Sequence, residues 1–578
     1  MNPIFLMITA SLAVAFSIVH LRISSSTSFN NEKQPHADLV VKNGVIFTSD
    51  QHVPIAESFA VSNGIIVRVG TYSSIQPMIG NNTEEIDVEG RVIVPGFIDS
   101  HVHFIFGGLE MARVDIKGVN EKGKFVRRIE EAVRNLKEGQ WLMGGGWNND
   151  LWGGELPAAS WIDAITPNNP VWLSRVDRHM GLANSYALRI AGVNGSTNDL
   201  PGGTIVKSLD GEATGLLIDE AMNLVIQWIP EVSKEERRAA LITASDYALS
   251  KGVTTVVDFG RYLQGGSVGY PWDDFSDVYL WADSLGRMKV RACLFFPLES
   301  WSTLKDVVSD KGYLNSGFLH LGGVKAFFDG SLGSSSALFH EPYVNEPENN
   351  GLQVVDKDAL LKMILAADEA GIQVAVHAIG DKANDDVLSI YESAISVNEK
   401  KDRRFRIEHA QHLSSESPNR FGELGIIASV QPLHLLIDAD AAVKKLGFER
   451  AREGSYLFKS LRNKTELALG SDWPVADIDP MRNIRIAMRR IPSGWSSAWA
   501  PAEQLPLNDA LISHTISGAR ACFLDHLIGS IAEGKFADFA VLSATSIDEF
   551  ETDDDIIVES TYVGGKLQFK GNSEDIKR

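Results

Sequence analysis

The alternation of apolar and polar positions divides the chain into four stretches. Residues 4–21, IFLMITASLAVAFSIVHL, contain no Asp, Glu, Lys or Arg. About 18 apolar residues is the lower edge for a membrane-spanning helix and also suits a long signal-peptide core. No Lys or Arg precedes the run, which weakens the signal-peptide reading. Residues 1–22 are therefore taken as an apolar signal or anchor segment and 23–37 as a polar linker. From 38 to 94, runs such as ADLVVKNGVIFT and AESFAVSNGIIVRVG are punctuated by Gly and Asn, the pattern of short strands and turns. The same texture returns over 530–570 in GSIAEGKFADFAVLS and DIIVESTYVGGKLQF. Two β-rich ends around a long middle predict one small β-sandwich built from both.

The middle, 95–529, alternates strand-like apolar runs with helical ones such as SKEERRAALITASDYALSKG. That repetition over more than 400 residues predicts an α/β fold, a (β/α)8 barrel with insertions. Eight strand candidates follow in order: VIVPGFIDSHVH, PVWLSRVDRH, VTTVVDFG, LHLGGVKAFFDG, IQVAVHAIGD, RFRIEHAQH, GIIASVQPLH and ELALGSDWP. Nearly all end in His, Asp, Lys or Glu. The carboxyl ends of barrel strands form the active-site face. One rim then collects His101, His103, His179, Lys325, His377, His409, His434 and Asp472. With His412, seven of the chain's fourteen histidines fall at these ends. Core hydrogen bonding accounts most readily for His434 and His412. His101 and His103 alternate onto one strand face, roughly 7 Å apart along the chain, where two imidazoles can share a metal ion.

Composition narrows the function. The chain has 578 residues, 44% hydrophobic and 22% charged, with a net charge of −21. No basic surplus exists to neutralise phosphate, so a nucleic-acid partner is not expected, and strongly anionic substrates are disfavoured. The two cysteines, Cys293 and Cys522, support neither a disulfide framework nor a Cys-rich zinc site. Cys293 sits in the apolar run VRACLFFPL and is expected simply to be buried. Sequons at Asn81, Asn194 and Asn463 are glycosylation candidates if the domain is lumenal.

PGFIDSHVH and LALGSDWPV resemble the first and last strand signatures of the amidohydrolase superfamily. GVKAFFDGSLGSSSA, AVHAIGDKAND and RIEHAQ are similar to its YtcJ-like branch, which includes N-substituted formamide deformylases and a plant Long After Far-Red subgroup. The resemblance covers roughly 38–570. It implies one or two zinc ions: His101, His103 and Asp472 on one, His377 and His409 on the other, and a carboxylated Lys325 bridging them. One departure is visible. Relatives often read Arg-Thr-Ala after DGSLGS, where this chain has Ser335, Ser336 and Ala337, so a substrate-facing or loop-fixing arginine is missing and the substrate class does not carry over.

These residue types suit hydrolysis by metal-activated hydroxide. Asp472 is expected to move the proton to a departing amine, and His179 to hydrogen-bond the carbonyl oxygen. Trp141, Trp147, Trp152 and Trp473 cluster on loops, and the Gly-rich stretches 144–157 and 260–274 are candidate lids. Trp147 and Trp473 are candidate substrate contacts, the alternative being ordinary packing. The leading expectation is a hydrolase of a carbon–nitrogen bond in a small, neutral, partly apolar amide. A metal-dependent isomerase or lyase, or a far-red light-signalling protein that keeps the fold, are the alternatives. The expected setting is the endomembrane system (ER or perinuclear), reached through the N-terminal segment, with a homodimer left open.

Overall fold

The computed structural model describes residues 36–175, 180–200, 203–262, 267–313, 316–344 and 346–571, without the side chains of Asp150, Asp219, Glu220 and Ile437. The apolar leader and His179 lie outside the described residues. Among those described, no helix is long and apolar enough to cross a membrane.

Eight parallel strands form the barrel: β1 Phe97–Val102, β2 Val253–Asp258, β3 Arg291–Pro297, β4 Leu319–Phe327, β5 Gln373–Ala378, β6 Arg406–His409, β7 Ile427–Val430 and β8 Leu467–Leu469. Each pairs with the next, and one parallel bridge, Val102 to Trp473, links the β8 end back to β1. Every strand residue except Phe327 is buried. Parallel strands covered by helices require this, which is why they read as continuous apolar runs. Helix Lys234–Ser250 starts with a capping box between Ser233 and Glu236.

Both chain ends build a sandwich beside the barrel. Strand Phe539–Leu542 pairs antiparallel with Val92–Pro95 in a six-stranded sheet. A four-stranded sheet faces it, ordered Ile65–Gly70, Ser58–Ser62, Leu39–Lys42, Glu84–Asp87. Phe59 meets Phe539 edge-on at 5.1 Å between ring centroids, and Phe539 stacks on Tyr562 at 4.4 Å.

The strand assignments need two corrections. Val171–Arg175, expected as the second barrel strand, belongs to a separate six-stranded sheet inserted between β1 and β2. The run around Cys293, expected only to be buried, is β3. Apolar periodicity identifies a strand but not its sheet, and selecting strands for a polar end passed over one that ends in Phe-Phe-Pro. The two errors offset, so Lys325 is still on the fourth strand.

Candidate metal centre

His101 lies in β1 and His103 just beyond it, Lys325 in β4, His377 in β5 and His409 at the end of β6, while Asp472 follows β8. All six are at least nine-tenths buried. The barrel thus converges residues spread over 372 positions of sequence onto one rim, as the strand ends of this architecture do. His101 Nε2 and His103 Nε2 each stand 3.5 Å from Asp472 Oδ1. The His101 and His409 ring centroids are 5.0 Å apart, and those of His377 and His409 4.5 Å. Ligand atoms of His101, His409 and Asp472 all fall within 4.8 Å of one another.

The outer nitrogen of each imidazole is engaged. His101 Nδ1 donates to Glu408 at 2.7 Å, His103 Nδ1 to the Gly260 carbonyl at 2.7 Å, and His409 Nδ1 to Gln431 Oε1 at 2.8 Å. These bonds fix the tautomer that leaves Nε2 with a lone pair facing inward. His377 is reversed: Nε2 contacts the Gly330 carbonyl at 3.1 Å, which turns Nδ1 into the acceptor position.

This donor set fits a divalent cation. Ligand bonds of roughly 2.0–2.1 Å in a tetrahedron put ligand atoms about 3.4 Å apart, close to the observed nitrogen–oxygen separations. Burial keeps the imidazoles neutral, pushing His103 down to about 4 and His377 to about 3. Burial also lifts the Asp472 carboxyl to about 7, against the pull of Lys325. A cation would supply the counter-charge this carboxylate lacks. Burial lowers Lys325 to about 8. Among the described residues no carboxylate stands within 4.0 Å of its Nζ, which lies 4.4 Å from the Phe259 ring centroid.

Backbone strain marks the centre. His409 (φ 75°), Ala410 (φ 41°) and Asp472 (φ 59°) all adopt left-handed conformations. Each such residue costs about 1–3 kcal/mol and persists where its surroundings dictate it. For Asp472 the surroundings are specific: its N–H donates to the His101 carbonyl at 2.7 Å. The preceding Ser471 is held by Asp99, which accepts its N–H at 2.9 Å and its hydroxyl.

Four supporting residues escaped the sequence reading: Glu408, Arg406, Asp99 and Gln431. Strand alternation carried a signal for one of them, since Asp99, His101 and His103 share a face. Arg406 and Glu408 form a fully buried ion pair beneath His101.

A cleft of about 930 Å³ opens between the barrel mouth and the inserted sheet. Phe106, Leu433 and Trp473 line it on the barrel side, with Gly144–Gly146 and Arg175 opposite. Trp473, expected as a substrate contact, is thus on the wall. Trp147 is not: it is fully buried in the core of the inserted sheet, with Nε1 donating to the Leu173 carbonyl at 2.8 Å. Sequence alternation cannot say which face of that sheet is covered. Ser335 fixes its loop: it donates to Glu346 at 2.8 Å and accepts at 2.5 Å from Lys445, which reaches the loop from helix His434–Leu446.

Residues 84–569 match the profile described as the amidohydrolase family. The chain belongs to this family. It is 58% identical over 531 residues to Protein LONG AFTER FAR-RED 3 of Arabidopsis thaliana, covering 92% of this chain and 91% of that one. Putative amidohydrolase YtcJ of Bacillus subtilis is 33% identical, over 91% of this chain and 98% of its own. The N-substituted formamide deformylase of Arthrobacter pascens is 27% identical, over 92% and 98%. Among solved structures, an uncharacterized metal-dependent hydrolase from Pyrococcus furiosus superposes with a TM-score of 0.72 at 27% identity, covering 87% of this chain and 98% of the other. As an amidohydrolase with this donor set, the protein is a hydrolase by family.

Proposed function

We propose that this amidohydrolase cleaves a carbon–nitrogen bond in a small, neutral, partly apolar amide, with divalent metal held by His101, His103, His377, His409 and Asp472. The observation that carries the reading is the Asp472 carboxylate, equidistant from two inward-facing imidazole nitrogens beside the cleft. A divalent cation held there would supply hydroxide near neutral pH and polarise a carbonyl.

The chain's own groups do the rest. Asp472 Oδ1 faces His101 and His103, so Oδ2 is free to hold a proton. Oδ2 is thereby placed to accept a proton from the attacking water and return it to the leaving nitrogen. Trp473 on the cleft wall gives the substrate an apolar surface. Lys325 would lose a proton and take up carbon dioxide, and the resulting carbamate would be a ligand shared by two metals, since a free ammonium beside two cations is repelled in a low-dielectric site.

Metal analysis and an amide panel test the proposal. Purified without residues 1–36, the protein should carry zinc or a similar ion and release amine from N-substituted formamides or acetamides. Metal without amine release from any member would point to an isomerase or lyase instead. His101→Ala with His103→Ala should empty at least one site, and unchanged metal content would defeat the assignment. Lys325→Ala should lose one metal and regain part of the activity with added propionate; two metals retained would remove the bridge.

A further inference from the structure

His434 is the first residue of helix His434–Leu446, and two neighbours in that turn, Leu433 and Leu436, line the cleft. The imidazole is 8% exposed; the ring lies near the Ser471 carbonyl, yet Nε2 makes no hydrogen bond of good geometry. Leaving a buried polar atom unpaired costs about 1–3 kcal/mol, so such an atom beside a candidate centre points to a partner that arrives with the ligand. The atom is aimed at the centre: Nε2 stands 3.8 Å from Asp472 Oδ2, too far for a hydrogen bond. The ring lies nearly parallel to that of His409, 6.2 Å away between centroids.

The ring's position is fixed from behind. His434 N–H donates to the Gln431 carbonyl at 3.1 Å, and Gln431 also orients His409. Leu433 N–H donates to Asn483 at 3.2 Å, and Asn483 donates to the Gly470 carbonyl at 2.8 Å, just ahead of Asp472. One turn therefore carries both the group that sets a candidate ligand and an unpartnered donor beside the proton-handling carboxylate.

We infer that His434 is a substrate-contacting residue whose Nε2–H donates to the carbonyl-derived oxygen as the attacked carbon becomes tetrahedral. The inference rests on the amide-hydrolase reading above. The hydrogen bond strengthens as charge grows on that oxygen, which favours the transition state over the ground state. No proton is transferred by His434.

The test uses zinc-loaded protein and methylphosphonate, a tetrahedral oxyanion, with binding followed by calorimetry and zinc by metal analysis. His434→Phe keeps the ring volume and removes the donor. It should weaken methylphosphonate binding about 10- to 100-fold with zinc content unchanged, while His434→Gln, whose amide can still donate, recovers part of the loss. Should the phenylalanine variant fail to fold, His434→Asn, whose amide stops short, takes its place. Binding as tight as in the parent protein, or loss of zinc in these variants, would overturn the assignment and leave the hydrolase reading intact. A parent protein that carries zinc but does not bind methylphosphonate would also overturn the assignment, while the hydrolase reading is decided by the amide panel.

Discussion

Replacing Glu408 by Gln isolates the ion pair beneath His101. Glu408 Oε1 accepts from Arg406 Nε at 2.7 Å, and Oε2 accepts from Arg406 Nη2 at 3.1 Å and from His101 Nδ1 at 2.7 Å. Both residues of the pair are fully buried. Glutamine turns one oxygen into an amino group, so a donor must face a donor in either orientation. Placed toward Arg406 Nε, the amide leaves a buried guanidinium short of its partner. Placed the other way, it opposes His101 Nδ1–H and drives the proton to Nε2, removing the lone pair a metal needs. Breaking one side of a buried pair costs about 3–5 kcal/mol, a large share of a typical stability of about 5–15 kcal/mol. Loss of such a supporting bond lowers metal affinity about 10- to 100-fold.

Urea unfolding in the presence of a chelator measures the first effect free of metal linkage, and zinc competition measures the second. Adding Arg406→Met removes the unpaired charge, so the double variant should be more stable than Glu408→Gln alone by at least about 1 kcal/mol. Its zinc affinity should stay low. A Glu408→Gln protein that loses less than about 1 kcal/mol and binds zinc normally would refute the reasoning.

Three further outcomes are expected. A Cβ on Gly107 would come within 2.2 Å of the Trp473 ring, so Gly107→Ala should displace that ring from the cleft wall and cost about 1–3 kcal/mol; an unchanged urea midpoint would contradict this. Burial pushes His514 down to about 4, with Nδ1 donating to the Ile98 carbonyl at 3.1 Å and Nε2 3.0 Å from Asn483 Nδ2. Because its folded pKa lies below the unfolded value of about 6.5, its contribution is present above that value and is lost as pH falls toward 4, about 2 kcal/mol between pH 7 and 5. His514→Gln should lose stability less steeply over that interval, and parallel profiles would refute the assignment. Residues 1–35 fused to a fluorescent reporter should direct it to endomembranes, and the exposed Asn81, Asn194 and Asn463 should carry glycosidase-sensitive mass if the barrel is lumenal; a uniformly soluble reporter would reject this placement.

The barrel and the two-ended sandwich were legible in the sequence because burial on both faces forces continuous apolar strands, and because chemistry-bearing residues sit where such strands stop. His101, His103, Lys325, His377, His409 and Asp472 each carry that local mark, so their convergence followed from the fold class alone. Pairing partners leave no local mark. Val171–Arg175 has the same apolar texture as a barrel strand, and only the hydrogen bonds it makes to its neighbours place it in the inserted sheet. Trp147 and Trp473 read alike in sequence, and the covering of one sheet face separates a core ring from a cleft wall. The support beneath the centre was likewise decided in three dimensions. Glu408 reaches His101 across 307 residues and Asp99 reaches Ser471 across 372, contacts whose partners are chosen by strand order around a closed barrel. Local sequence fixes what a strand end can offer; which ends meet depends on the order in which the whole chain closes.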